Sequence, residues 1–527
     1  MKTFEANLHW IDLSVMAIYV FGVIWWGLKN KSSESSDGYF LAGRSMTWPL
    51  IGIALFAANV SSSSLLSWSG DAYATGIAVF NYGWAAVFPL IFFLVFILPV
   101  YLKNTIHTMP EYLGKRFDDR SRYYLLCMNM IGYVFIDIAQ TLYAGSLVVQ
   151  LIFPQLEIWQ VVWLLAFAVA SYTIPGGLSS VIHTEVVQAV LLLVGSALVT
   201  LYALQEAGGW AEVVAQTPPE DLSLIRPMDD PSVPWLGLVL GIPLLGFYYW
   251  CTNQSIVQRT LSAKNVNHGR KGALLAALLN FPILFVMVLP GVIGRLIYPE
   301  IAKPDMILPN MIFGLLPSGV KGLLVIGLLA AMASTISAVL NSASTLFTYD
   351  FVKKVYPQTS EKSMVRIGRI SALVMIVIAS FWAPYIGNFD SLLKYFQNIL
   401  AYMCPPVVAI FLAGIFWKRA NGNSSFAALL TGLAMALFLV FYKDQTFLAD
   451  LHFLLIAPVV FTVSSLALIV VTLLQPKENP SVTTWMWNKK QFEAESAELK
   501  PLKWYQNYRI LSLLLIIFTI AFVYAWK

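Results

Sequence analysis

Charge is what this sequence has least of. Only 12% of its 527 residues are Asp, Glu, Lys or Arg, while 58% are hydrophobic, and a water-soluble chain of this length could not stay dispersed on so few charges. The composition implies an integral membrane protein. Cysteine is as scarce: Cys127, Cys251 and Cys404 each fall within an apolar run, which excludes a disulfide framework or a zinc pattern and leaves them as small packing residues. The histidines His9, His107, His183, His268 and His452 lack metal-ligand spacing, so no metalloenzyme is indicated. A phosphate-binding GxxxxGK followed by Ser or Thr is missing too, and ATP-driven transport has no support. The largest hydrophilic stretches, 206–232 and 475–507, are too short for a catalytic module. The spans hold no acid–base pair or nucleophile constellation, so the chain does not read as an enzyme. A net charge of +5 would suggest nucleic acid if the basic residues shared one face. They sit instead in loops between apolar runs, which fits orientation in a bilayer. No nucleic-acid partner and no obligate protein partner is evident.

What the sequence does have is apolar runs of spanning length, about twenty residues each. About fourteen occur, near 10–28, 47–69, 76–102, 122–152, 158–175, 180–205, 233–253, 271–297, 321–352, 365–386, 391–416, 424–442, 453–474 and 508–526. The first lacks a small-residue cleavage site and reads as a retained helix rather than a signal peptide. Alternate loops carry the basic residues, among them Lys29, Arg44, Lys103, Lys115, Arg116, Arg259, Lys264, Arg270, Lys353, Lys418 and the stretch Lys477 to Lys503. The other loops are nearly bare of them, and the longest, Gln205 to Pro234, is acidic. The positive-inside rule then makes the basic loops cytoplasmic and both termini extracytoplasmic. That topology, with no long external domain, fits a bacterial inner membrane as the plasma membrane concerned.

Polar residues inside the spans are the candidate site. "FAANVSSSSLLSWSG", Phe56 to Gly70, interrupts an apolar run with Asn59 and four serines. In hydrocarbon an opened helix is tolerated where it lines a cavity or coordinates something; small polar residues packing on a neighbouring helix are the simpler alternative. A second cluster, Gly327 to Thr348, holds Ser334, Thr335, Ser337, Asn341, Ser342 and Ser344 among alanines. Hydroxyls and freed carbonyls are hard donors suited to an alkali cation. In "LLGFYYWCTNQS" Gly246 is a helix weak point ahead of Tyr248, Tyr249 and Trp250, aromatic faces on which a sugar could stack or which could form an interfacial belt. Asp137 and Glu185 are intramembrane acids, which usually face a cavity, an ion or a partner. Gln397 is a polar candidate in a span that Pro405 and Pro406 would kink.

The segments "YFLAGRSMTWPLIGIALFAANVS", "TMPEYLGKRF", "IPGGLSSVIHTE", "YYWCTNQSIVQRTLSAKN", "LNSASTLFTYDF" and "GIFWKRA" resemble the sodium/solute symporter family, most of all its sodium/glucose and sodium/galactose branch. The resemblance implies an all-α membrane protein with a core of two inverted five-helix repeats (LeuT-like), at 47–205 and 233–416. An N-terminal extra helix and loop, 1–46, precedes the core. The extracytoplasmic loop 206–232 divides it, and extra helices, 417–527, follow. It places a sodium ion on the carbonyls of Ala57, Val60 and Ala331 and the hydroxyls of Ser334 and Thr335. A second sodium site would match Glu185 and Ser337, with Ala338 in place of one donor. The solute positions match Tyr249 as the inner gate, Trp250, Gln397 and Asn59. The family pattern is altered at Ser64, at Gly83 for a glutamate, at Gly246 and at Asn280 for a lysine. Loss of that acid and base together removes one internal pair as a unit, whereas loss of one alone would strand a buried charge. Asp137 stands where galactose-type relatives carry asparagine, and Trp68 and Tyr82 where the family closes its outer side.

The expected function is sodium-driven symport of a small polyhydroxylated solute, a sugar or polyol, by alternating access. Asn59, Ser64, Tyr82, Asp137, Tyr249, Trp250, Asn280 and Gln397 are the candidate solute contacts, and sodium, the solute and the bilayer are the implied partners. Two alternatives remain: symport of an amine-bearing or cationic solute with Asp137 as counter-charge, and a sensor or sodium channel of the same fold that has lost coupling.

Overall fold

Backbone N–H and C=O groups in hydrocarbon must find partners within the protein, and this chain satisfies them with helices. The computed structural model describes residues 9–30, 35–60, 62–301, 303–388, 392–446, 448–475 and 480–527. Among them no strand forms, and β-type pairing is limited to the isolated bridges Met46 with Ala263 and Arg226 with Pro234.

In chain order the main elements are α1 (Trp10–Lys29), α2 (Trp48–Asn59), α3 (Ser62–Thr75), α4 (Ile77–Lys103), α5 (Asp119–Gln150) and α6 (Ile158–Glu206). The second half begins with α7 (Trp235–Thr252), α8 (Gln254–Leu261), α9 (Val266–Leu279), α10 (Leu284–Ile297), α11 (Val320–Val355) and α12 (Glu361–Asn388). Then come α13 (Leu392–Met403), α14 (Pro405–Phe416), α15 (Gly422–Tyr442), α16 (Phe453–Leu474), α17 (Lys489–Leu499) and α18 (Tyr508–Ala525). Among the described residues ten helices are long and apolar enough to cross a membrane, or thirteen if each of three bent pairs is one span. Those pairs are α2 with α3 at 55°, α9 with α10 at 42° and α13 with α14 at 48°; a shorter apolar helix, Ile158–Ser171, lies within α6.

The bends have local causes. α14 opens on Pro405 and Pro406, which cannot donate back into α13. α6 turns at Pro175 to Gly177, where Gly177 takes φ +68°, a conformation costly for any residue with a Cβ. Its two halves correspond to the two runs expected at 158–175 and 180–205.

α11 is the hub. Of its apolar stretch 78% is buried, against 12% for α1 and 22% for α18, which are peripheral. Its N-terminus is fixed by the buried Asp12 of α1, whose Oδ1 accepts from the backbone N–H of Gly319 (2.6 Å) and Gly322 (2.8 Å). A carboxylate at a helix N-terminus meets both the free donors and the helix dipole. Arg116 is buried and donates to the carbonyls of Gly414, Trp417 and Ala420, capping the turn after α14. This basic residue, counted from sequence as a loop charge, is structural.

Candidate functional site

The interrupted helices converge on one cavity. α2 ends at Asn59; Val60 leaves helical geometry at ψ 81°, and the chain re-enters a helix at Ser62 in a new direction. Ser61, one of the four serines, lies outside the described residues. The second interruption is not at Gly246, as expected, because the helix runs through that residue. It widens into a π-helical turn over Tyr248–Thr252 and breaks at Asn253, which has ψ 121°. Asn253 then caps α8 by accepting from the N–H of Ser255 at 2.9 Å. Another π-helical turn, Tyr133–Ile138 in α5, carries Asp137. Such turns add a residue and re-aim side chains.

These breaks surround a cavity of about 140 Å³. Seven of the eight candidate solute contacts line it: Asn59, Ser64, Tyr82, Asp137, Tyr249, Trp250 and Gln397. Tyr249 meets Trp250 edge to face at 5.1 Å and directs its hydroxyl to the Ala58 carbonyl at 3.4 Å, so the pair forms a wall joined to the first break. The Tyr82 hydroxyl and Gln397 Oε1 are buried without hydrogen-bond partners among the described residues. Trp68 and Phe396 contribute further apolar walls.

Asn280, the eighth, stands behind the cavity rather than on it. It is fully buried, donates to Ala276 O at 3.0 Å and accepts from Asn59 Nδ2 at 2.9 Å, so it orients a lining residue. A Cβ at Gly83 would come within 2.8 Å of the Phe80 ring and 3.3 Å of Trp68. The space that an acid would need at residue 83 is therefore filled by aromatic rings, and the neutral Asn280 leaves no stranded charge at the matching position.

The sodium candidates lie at the end of α2 and midway along α11, helices that pack together. Thr335 borders the cavity and its hydroxyl returns to the Ala331 carbonyl at 3.1 Å. The Ser334 hydroxyl is buried and lies close to the Glu185 carboxylate. Glu185 and Ser337, the candidates for a second ion, are engaged separately. Both Glu185 oxygens hold the Arg259 guanidinium, with Nε at 3.1 Å, while the Ser337 hydroxyl contacts those of Thr173 (2.5 Å) and the Ala333 carbonyl (2.7 Å).

Several lining residues escaped the sequence reading. Arg259, counted with the loop charges, is 1% exposed and borders the cavity. Gln140 and Thr141 follow Asp137 by three and four residues, the spacing that puts them on its helical face, so helical periodicity could have found them. Asn253 gives no such signal, because its place depends on the π-helical turn before it. The Tyr133 hydroxyl reaches Asn253 Oδ1 and the Tyr248 hydroxyl reaches Asn129 Oδ1, each at 3.2 Å, linking α5 to the broken α7.

Comparison with known proteins gives a consistent picture. Residues 39–432 match the model of the sodium:solute symporter family. The mouse sodium/glucose cotransporter 1 is 31% identical over 95% of this chain and 84% of its own length. The human sodium/myo-inositol cotransporter 2 is 34% identical over 81% of this chain and 69% of its own. Among solved structures, a Na+-coupled sialic acid symporter in a substrate-bound outward-open state superposes with a TM-score of 0.78 at 23% identity, covering 90% of this chain and 99% of that one. A nucleobase-cation-symport-1 family transporter superposes with a TM-score of 0.58 at 15% identity, covering 86% and 98%.

Proposed function

The chain belongs to the sodium:solute symporter family, and from that premise we propose that it carries a small polyhydroxylated solute, a sugar or polyol, into the cell with sodium. The observation that carries this reading is the single cavity onto which both broken spans, Asp137 and Gln397 converge, with Thr335 of the sodium cluster on its border. Its mixture of aromatic wall and amide and carboxylate acceptors suits a ring rich in hydroxyl donors. The cotransporters of glucose and myo-inositol among its relatives support the same class.

In this reading sodium sits between the opened end of α2 and α11, held by the carbonyls of Ala57, Val60 and Ala331 and the hydroxyls of Ser334 and Thr335. One ion suffices, since Glu185 is already matched by Arg259. Solute binds against Tyr249, Trp250, Gln397 and Asp137, with Asn59, Ser64 and Tyr82 completing the wall. Residues 47–205 and 233–416 form two inverted five-helix repeats within about fourteen spans, flanked by 1–46 and 417–527 and separated by the loop 206–232. Rocking of one part of this core against the other exposes both ligands to the cytoplasm. Coupling arises because both ligands favour one state, so each raises affinity for the other by the same factor.

The test is uptake into proteoliposomes of labelled glucose, galactose and myo-inositol, with an inward sodium gradient or with potassium in its place. Accumulation of at least one of them only with sodium is expected. Ser334→Ala and Thr335→Ala should each raise the half-saturating sodium concentration, and the apparent solute constant with it, by roughly five- to fifty-fold. Unchanged sodium activation in both variants would remove the ion from these residues.

In our reading the membrane is a bacterial inner membrane, and the positive-inside rule applied to the basic loops supports an orientation with both termini outside. Epitope tags at residues 1 and 527 should then be digested by protease added to intact spheroplasts. Protection of both tags would invert the orientation.

A further inference from the structure

The solute cavity is electrostatically one-sided. Asp137 is the one acid and Arg259 the one base among its described lining residues, and the base is already engaged. The Arg259 guanidinium is held by both oxygens of Glu185 and also donates to the Ser255 carbonyl. Asp137 has no such partner: among the described residues its carboxylate forms neither an ion pair nor a hydrogen bond. A carboxylate taken out of water without a partner is costly, and the cost is relieved by whatever positive charge or donor the cavity receives. Gln397 Oε1, another lining acceptor without a partner among the described residues, takes a donor as well. The two positions where a neighbouring acid and base could have balanced the field, residues 83 and 280, are glycine and asparagine, and Asn280 is satisfied by Asn59 and Ala276.

We infer that Asp137 sets the charge specificity of the transporter. It admits neutral polyols, favours those that bear an ammonium group, such as a free amino sugar, and excludes sugar acids. An ammonium beside Asp137 completes an ion pair in a poorly screened site, and a solute carboxylate there would face an anion with no free cation opposite among the described lining residues. This inference rests on the symport reading above and deepens it by naming the charge of the solute.

Glucose, glucosamine and glucuronate share one ring and differ in the group that matters, so they make the probe set. Their sodium-dependent uptake is measured in proteoliposomes at neutral pH, where the amine is still largely protonated and acid does not neutralise Asp137, and the sodium-dependent thermal stabilisation of the purified full-length protein is measured with each. For the wild type we expect glucosamine to half-saturate at a concentration roughly tenfold or more below that of glucose, and glucuronate to give neither uptake nor stabilisation. Asp137→Asn should compress the three to within about threefold of one another. A wild type that takes glucuronate as readily as glucose overturns the charge filter while leaving symport standing, and so does an Asp137→Asn protein that keeps the original ranking. The wild-type ranking decides the matter even if the variant does not fold. Absence of both sodium-driven uptake and sodium-dependent stabilisation with all three compounds overturns the symport reading and the filter with it.

Discussion

A single side chain, Arg259, joins the solute cavity to the neighbourhood of the sodium donors. It borders the cavity and holds Glu185, whose carboxylate lies close to Ser334, and both charges are almost fully buried. Removing one member of such a pair leaves the other unpaired, which typically costs about 3–5 kcal/mol, whereas replacing both with neutral groups of similar volume costs much less. Arg259→Met is therefore expected to lower the apparent melting temperature of the detergent-solubilised protein sharply. The double variant Arg259→Met with Glu185→Gln should regain most of the loss, and a double-mutant cycle without coupling would show the pair to be incidental. At this scale the sequence was legible where a residue is anomalous in its own neighbourhood. Asn59, Asp137 and Ser334 stand out because they are polar within apolar runs. Arg259 does not, since it stands five residues from the loop charge Lys264 and its partner is 74 positions away. Asn280 was legible as polar and buried, but whether it faces a cavity or the back of another asparagine depends on packing that no local pattern records.

At the scale of elements the breaks depend on close helix contact. Gly291 of α10 packs so tightly on α3 that a Cβ there would stand 2.1 Å from the Ser69 carbonyl and 2.9 Å from Ala72. Both atoms belong to elements of bent spans, and a carbonyl in a helix cannot swing aside as a flexible side chain can. Gly291→Ala should thus force α10 from α3 and destabilise by about 2 kcal/mol or more, read as a drop in melting temperature with a matching loss of transport. A variant that melts and transports like the wild type would mean that the two helices are free to separate at no cost. The apolar helices were legible as a class, because membrane spans announce themselves by length and hydropathy, whereas short helices such as α8 were not. The positions of the breaks were only partly so. The first shows as serines and an asparagine, and the third as Pro405 and Pro406. The second fell seven residues past Gly246, at Asn253, because the helix continues through Gly246 into a π-helical turn over Tyr248–Thr252 that no local pattern announces.

Across the whole molecule, the last span and the surface helix before it are tied to the core through one carboxylate. Glu495 of α17 accepts from Arg270 at the start of α9, from the Tyr508 hydroxyl at 2.8 Å and from Arg509 at 3.1 Å, both of these on α18. Arg270 also stacks over the Tyr508 ring at 4.0 Å. Burial alone would raise the Glu495 carboxyl, but the bonds from Arg270, Tyr508 and Arg509 outweigh it and hold it below its ordinary value. A carboxyl whose native pKa is depressed adds stability that is fully present above its unfolded value, about 4.3, and is lost as the pH falls through the lower native value. The tie is thus intact at neutral pH and loosens only in acid. Glu495→Gln keeps the shape and removes the charge, so it should melt a few degrees below the wild type at pH 7. That gap corresponds to about 1–2 kcal/mol, modest because the carboxylate is about one-quarter exposed. The gap between the two proteins should close as the pH is lowered below 4, because the wild type then loses the same charge, whereas titration of other carboxylates moves both curves together. A gap that stays constant over the whole range would mean that the charge on Glu495 does not hold α17 and α18 to the core, and that their attachment rests on the stacking of Arg270 on Tyr508 and of Arg509 on Phe492.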